Sequence, residues 1–209
     1  MGLELPKQFL LLEDKPILLH TIEAVHNADK DCEIVLVLNK DYISYWQKIV
    51  EQYKIEIKHR VVCGGSERFY SVKNAIESIE DECEDAVLVA VHDGVRPFCK
   101  DVFLPCFKLA EEKGNAVCAV KSIDSVRLVE NDCSKAIDRN FVYMVQTPQC
   151  FKLSSLKKAY QQEYKTAFTD DASVVESIGE KINICEGDRK NIKITTPLDM
   201  EIAKLCYER

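Results

Sequence analysis

Two kinds of apolar pattern alternate along this chain, and that alternation restricts the folds open to it more than any other feature. "EIVLVLN" (33–39), "EIKHRVVCGG" (56–65), "DAVLVAVHDG" (85–94) and "NAVCAVKSI" (115–123) are short, strand-like apolar runs. Separating them are "PILLHTIEAVHN", "ISYWQKIVEQY", "ERFYSVKNAIESI" and "DVFLPCFKLAEEK", which read as amphipathic helices. Strands buried on both faces appear as near-continuous apolar runs, and intervening helices supply the crossovers that parallel strands require. The pattern predicts an α/β fold with a mostly parallel sheet. At 209 residues and 46% hydrophobic content, one domain spanning 1–209 can bury a sizeable core.

The pattern changes between 119 and 151, where two extended segments flank the polar turn "ENDCSK". This reads as a hairpin arm over about 121–146 projecting from the sheet. A two-stranded arm is only marginally stable alone, so it is expected to pack on a second subunit. Further on, the sequence predicts helices at about 153–164 and 170–179, a strand near 182–185, an extended piece at 190–195 and a last helix from Pro197. The chain opens with "MGLELPKQF" and soon enters a helix. A doubly wound domain opens instead with a strand feeding a phosphate-binding loop, so the first strand is expected to be absent.

With 35 acids against 28 bases the formal charge is −7, which argues against broad binding of nucleic acid or anionic membrane. Any anion must be held locally. No uninterrupted apolar run approaches the roughly 18 residues of a membrane span, and the first residues lack a signal-peptide pattern, so a soluble cytoplasmic protein is expected. The ten cysteines are scattered without a C-x-x-C pair. They read as reduced thiols, with Cys118 in "NAVCAV" acting as a small hydrophobe, and neither a zinc site nor a redox pair is expected.

Local chemistry offers several anchors. Asp93 in "VHDGVRP" follows the strongest apolar run, at the carboxyl end of a central strand where open α/β sheets gather ligands. There it either holds Mg²⁺, which binds through one or two carboxylates and otherwise through waters and phosphates, or caps the turn made by Gly94. In "CGGSERFYSV", Gly64 and Gly65 precede a helix, so their amides either approach a ligand, with a hydroxyl from Ser66 or Ser71, or form a plain turn. Lys7, Lys193 and Arg139 each lie beside a break in the pattern, where a solvated charge is the ordinary reading. "TDDASVVES" (169–177) suits a helix start capped by Thr169 or Asp170.

Taken in order, "PKQFLLLEDKPILLHTIEAV", "GGSERFYSVKNAI", "VHDGVRPF", "AIDRN", "TPQCF", "TDDASVVE" and "NIKITTPLDMEIA" resemble the 2-C-methyl-D-erythritol 4-phosphate cytidylyltransferases of the non-mevalonate isoprenoid pathway. The resemblance covers essentially the whole chain. It implies a Rossmann-like nucleotidyltransferase sheet whose arm completes the neighbouring subunit's site in a homodimer. The implied reaction is attack by the acceptor's phosphate oxygen on the α-phosphorus of CTP, releasing pyrophosphate.

The same resemblance implies roles residue by residue. Lys7 would stabilise charge at the α-phosphate, and Lys193 would position the attacking phosphate. Arg139 would reach from the arm to grip methylerythritol phosphate in the partner's site. Thr169 and Ser125 would bind that substrate, with Thr169 at a helix N-terminus that could itself receive an anion. Gly64, Gly65 and Ser71 would contact cytidine, and Asp93, with Gly94 beside it on the nucleotide, would hold Mg²⁺. Arg96 would brace the loop. Lys190 stands where the family often has an acid, so a second metal-side carboxylate is not expected. Family members also begin with a strand and a glycine-rich loop ending in an arginine ahead of "MG", which this sequence lacks. Two other readings stand beside this one: a ribitol 5-phosphate cytidylyltransferase, and a non-catalytic nucleotide-binding or assembly module.

Overall fold

The computed structural model describes residues 5–80 and 83–207; the expectation about a strand and loop ahead of the chain's start falls outside them. Residues Lys7–Phe9 form a 3₁₀ turn, followed by a small hairpin of β1 (Leu11–Leu12) and β2 (Lys15–Pro16). Then come α1 (Ile17–Ala28), β3 (Ile34–Leu38), α2 (Ile43–Gln52), β4 (His59–Cys63), α3 (Arg68–Glu77), β5 (Leu88–Val91), α4 (Lys100–Lys113) and β6 (Asn115–Lys121). The arm is β7 (Val126–Glu130) and β8 (Cys133–Ile137), and the chain continues through β9 (Tyr143–Lys152), α5 (Leu153–Ala159), α6 (Asp171–Glu176), β10 (Ile184–Glu186) and α7 (Pro197–Tyr207).

Strands pair in the order β10-β6-β9-β5, with β3 and β4 forming a separate parallel pair. Among the described residues no strand joins the β3–β4 pair to the four-stranded sheet. One face of the four-stranded sheet is covered by α3, α5 and α6, through Phe69, Ile76, Leu156 and Val175 packed on Val117 and Phe151. The other face is covered by α4, through Val102, Phe103, Cys106 and Ala110. Burial on both faces explains why these strands read as continuous apolar runs. Gly114 closes α4 in the left-handed conformation (φ 88°), its amide donating to Ala110 O at 2.8 Å, a geometry that costs other residues more.

The sheet is mixed: β6 and β10 run parallel, but β9 is antiparallel to both β5 and β6. Residues 143–146, expected in the arm, therefore already belong to this central strand. In its pairing with β6, Gln149 faces Val117 and Val145 faces Ala119, so residues 146–148 form a bulge. Pro148 sits there, where a missing N–H interrupts no ladder bond. The bulge turns the Gln146 and Thr147 side chains away from simple strand packing and toward the site described below.

The hairpin β7–β8 is the arm the sequence predicts, closed by Asn131 and Asp132 with positive φ (47° and 63°) that suit a tight, strongly twisted turn. The expected helices are shorter, ending at Ala159 and Glu176, and 190–195 forms no strand. That last segment is held to the body by Ile194 N–H donating to Val95 O at 3.0 Å and by the buried Ile194 side chain.

Candidate active site

The carboxyl end of β5 opens into a loop where Asp93 meets two cations. Arg96 Nε donates to Asp93 Oδ2 at 3.0 Å, and Lys193 Nζ lies 3.1 Å from the same oxygen. Burial alone would raise the Asp93 pKa, but the charges of Lys193 and Arg96 outweigh it and hold the carboxyl below its usual range. Arg96 is itself buried and donates through Nη1 to Asn191 O at 2.8 Å. Asn191, fully buried, donates through Nδ2 to Thr147 O, and the Thr147 hydroxyl accepts from the Asp93 amide at 3.1 Å. The bulge of β9, the loop after β5 and the 190–194 segment are thus tied into one frame, with Arg96 as its brace.

His92 joins that frame through Thr147 Oγ1 at 2.9 Å and Arg96 O at 3.1 Å. Burial pushes its pKa down to about 4, so it sits there as a neutral imidazole.

The N-terminal segment is fixed to the same frame. Leu12, Ile17, Val95 and Ile194 share one buried cluster, Ile17 N–H donates to Leu10 O, and the Thr21 hydroxyl donates to Gly94 O at 3.1 Å. Lys7 lies in the 3₁₀ turn, which is anchored by Phe9 buried against the rings of Tyr42 and Tyr45.

The Gly64–Gly65 loop leaves β4 and enters α3. Gly65 N–H donates to Ser71 Oγ at 3.1 Å, and the Ser71 hydroxyl donates to Glu67 O at 3.0 Å. A Cβ on Gly65 would stand 2.3 Å from Tyr70 Cβ, so this glycine is required by its own packing on α3. The Ser71 hydroxyl likewise holds the loop's shape.

At α6 the cap is Asp170, not Thr169: its Oδ1 accepts from Ser173 N while the Ser173 hydroxyl accepts from Asp170 N. The Ala172 amide is taken by Gln149 Oε1 at 2.9 Å, and Gln149 Nε2 donates to Asp170 Oδ2. The amides of Asp170, Ala172 and Ser173 are therefore committed internally. Thr169 is exposed at the rim of a cleft it shares with Glu67, Arg68, Tyr164 and Phe168. Beneath it, Asp171 is fully buried and accepts from the Arg68 guanidinium, at 3.0 Å to Oδ1, and from the Tyr160 hydroxyl at 2.6 Å. Burial, and then the Asp171 carboxylate, push the Tyr160 pKa far up, so the hydroxyl stays a donor.

Ser125 and Arg139 are exposed on the arm, where Arg139 Nη1 donates to Ile123 O at 2.6 Å. Of the residues expected at the site, the fold brings Asp93 and Lys193 into contact, joins Gly65 to Ser71, and sets Thr169 beside Arg68. Sequence reasoning missed Arg68, Gln149, Asp171 and Asn191. The arginine opening α3 and the second acid of "TDDAS" were visible, but only the fold pairs residues 103 positions apart.

Comparison with known proteins comes to the same place. A family model described as IspD, 2-C-methyl-D-erythritol 4-phosphate cytidylyltransferase, matches residues 1–209. The enzyme of that name from Phocaeicola vulgatus is 43% identical over 206 residues, covering 98% of this chain and 92% of the relative. That from Azobacteroides pseudotrichonymphae is 44% identical over 212 residues, covering 100% and 93%. Among solved structures, 4-diphosphocytidyl-2C-methyl-D-erythritol synthase from Anaerococcus prevotii superposes with a TM-score of 0.85 at 29% identity, covering 97% of this chain and 93% of that one. The Francisella tularensis cytidylyltransferase gives 0.78 at 30% identity, with 97% and 93% covered.

Proposed function

This chain belongs to the 2-C-methyl-D-erythritol 4-phosphate cytidylyltransferase family, and from that premise we propose that its reaction centre is the Asp93–Arg96–Lys193 cluster at the end of β5. The enzyme transfers a cytidylyl group from CTP to 2-C-methyl-D-erythritol 4-phosphate in isoprenoid biosynthesis. In that step a phosphate oxygen of the acceptor forms a new bond to the α-phosphorus while the bond to pyrophosphate breaks. Such a transfer depends on in-line positioning and on neutralising phosphate charge more than on moving protons.

The observation that carries the assignment is the position of Lys193. Its side chain is 43% exposed and paired with Asp93, a screened contact that an incoming phosphate can replace at little cost. Lys193 then orients the attacking phosphate, while Lys7, on the turn packed by Phe9, faces charge at the α-phosphate. The Gly64–Gly65 loop with Ser71 lies along cytidine, with Gly94 beside the nucleotide.

The donor set fits Mg²⁺: both protein cations bond to Oδ2 of Asp93, and Oδ1 of the same carboxylate is a hard oxygen ligand of the kind this ion takes. Mg²⁺ held by Asp93 would neutralise triphosphate charge.

The acceptor site is completed across a homodimer in which each arm serves the partner. Supporting this, the arm and its base carry exposed Ile123, Leu128, Val129, Phe141 and Met144, with Phe141 82% exposed, more apolar surface than scattered single residues provide. Phe141→Asp is expected to convert the dimer to monomer in analytical ultracentrifugation and to lower activity with it; an unchanged dimer would remove the arm from the interface. Arg139, beside it, grips methylerythritol phosphate with Ser125 and Thr169. Arg139→Ala is expected to raise KM for the sugar phosphate well beyond any change in KM for CTP, whereas equal changes would take Arg139 out of that pocket. A cytoplasmic setting is part of the same reading.

The deciding experiment is pyrophosphate release by the purified full-length protein from CTP and Mg²⁺, offered methylerythritol phosphate or ribitol 5-phosphate. Release with the first acceptor is expected. Release with ribitol phosphate alone, or CTP binding without turnover on either acceptor, would overturn the assignment.

A further inference from the structure

The layer between α4 and the sheet contains a second chemical cluster that cytidylyl transfer does not use. Three adjacent strands each contribute one cysteine to the sheet face covered by α4: Cys185 from β10, Cys118 from β6 and Cys150 from β9. Cys118 and Cys185 are direct partners in the parallel register. α4 adds Cys106, whose Sγ lies 3.4 Å from Ala116 O and 3.6 Å from Pro148 O, over the centre of these strands. The sulfurs of Cys106, Cys118 and Cys185 all lie within 4.8 Å of one another, and Cys150 belongs to the same buried cluster, paired across the sheet with Ala116. Cys106, Cys118 and Cys150 are wholly buried and Cys185 is 8% exposed.

We propose that Cys106, Cys118, Cys150 and Cys185 form a thiolate site for one soft cation, Zn²⁺ or Cu⁺, that ties α4 to three strands of the sheet. The ligand chemistry selects the ion. A set made only of sulfur, shielded from water, favours soft d¹⁰ cations and offers nothing to Mg²⁺, which takes oxygen. Size agrees as well: Zn–S bonds of about 2.3 Å in a tetrahedron put sulfurs roughly 3.8 Å apart, so the spacing of Cys106, Cys118 and Cys185 needs to contract by about 1 Å or less.

Without the ion, hydrogen bonds from Cys118 and then Cys150 hold the Cys106 thiol below the usual thiol range. Hydrogen bonding to Cys106, and then burial, push Cys118 and Cys150 up from the usual thiol range. Each protonated thiol that becomes a ligand gives its proton to solvent and exchanges a weak S–H bond for a metal–sulfur bond. The site is hidden in the sequence because its members lie on four elements with no short ligand spacing, the pattern by which zinc sites are ordinarily recognised.

The test is metal analysis of the full-length protein purified without chelator, followed by anaerobic titration of the metal-free protein with Co²⁺, as a spectroscopic stand-in for Zn²⁺, and separately with Cu⁺. About one ion per chain is expected, with sulfur-to-cobalt charge-transfer bands and a rise in the thermal midpoint. Cys106→Ser and, as a milder change at the layer's edge, Cys185→Ala should abolish the bands and the rise while leaving cytidylyl transfer intact. Cys63→Ser and Cys133→Ser, both at exposed positions, should keep them. The proposal is overturned by uptake of neither probe, by bands that survive in Cys106→Ser or Cys185→Ala, by bands lost in the exposed variants, or by a disulfide within the cluster of the anaerobically purified protein.

Discussion

Replacing Lys193 by alanine is expected to lower turnover by roughly 10²–10³ while leaving the fold intact, because a cation aimed at developing phosphate charge in a partly enclosed site is worth several kcal/mol to the transition state. Stability should hardly change. The Lys193 side chain is 43% exposed, and its pair with Asp93 is an ion pair of the screened kind, which contributes about 1 kcal/mol or less. Arg96 remains on Asp93 and keeps the carboxylate compensated. Lys193→Arg should restore little, since a planar guanidinium cannot place a single point charge where the flexible ammonium did. The measurements are kcat and KM for both substrates beside a thermal midpoint. A near-normal kcat would remove Lys193 from the reaction, and a collapse of the midpoint would make it a structural residue of the loop.

The parts legible in sequence are those whose burial is apolar and local. The runs at 33–39 and 115–123 became β3 and β6, and the helical patterns became α1 to α4, because single elements covered on one or both faces leave their periodicity in the chain. β9 reads as an arm segment and not as a central strand because its buried run mixes polar residues with the apolar Cys150 and Phe151. Gln146, Thr147 and Gln149 are all buried, each supported by hydrogen bonds to distant segments, and Pro148 among them argues against a central strand until the bulge is seen. The same strand supplies Thr147, which accepts from the Asp93 amide, so the piece of fold that was hardest to read is also the piece that builds the site.

The site residues divide along the same line. The place of Asp93 is readable from position alone, at the end of an apolar strand followed by glycine, where an open α/β sheet gathers ligands, but position does not separate a metal ligand from the cap of a turn. Its partnership with Lys193 joins residues 100 positions apart in a contact of 3.1 Å, and no local pattern encodes it; the ordered resemblance supplied both residues without the contact. The thiol layer shows the opposite limit. Cys118 reads from its run as a small buried hydrophobe, but that the strands carrying Cys118, Cys150 and Cys185 are neighbours follows only from the order β10-β6-β9.

Asp171→Ala carries the largest expected loss of stability. Asp171 is fully buried, and its carboxylate accepts from both arms of the Arg68 guanidinium and from the Tyr160 hydroxyl. Removing it leaves the buried Tyr160 phenol without its acceptor, which costs about 1–3 kcal/mol, and frees Arg68, whose side chain is 40% exposed and can turn to water, so the lost ion pair adds about 1 kcal/mol or less. For a chain of this size that corresponds to a fall of roughly 5–10 °C in the unfolding midpoint. Activity should fall by a separate route. Asp171 opens α6 directly after the Asp170 cap, which Gln149 holds from β9, and this arrangement fixes where Thr169 meets the cleft beside Arg68. Asp171→Asn, which keeps the shape and one acceptor oxygen, should lose less stability than alanine while still weakening the sugar phosphate's KM, because Arg68 no longer faces a charge. Chemical denaturation of both variants, with KM measured for each substrate, separates the two effects. If Asp171→Ala unfolds within about 1 kcal/mol of the parent, the buried network is not what holds α3 and α6 together, and the position of Thr169 must be set by the apolar contacts of Phe69, Val174 and Val175 instead.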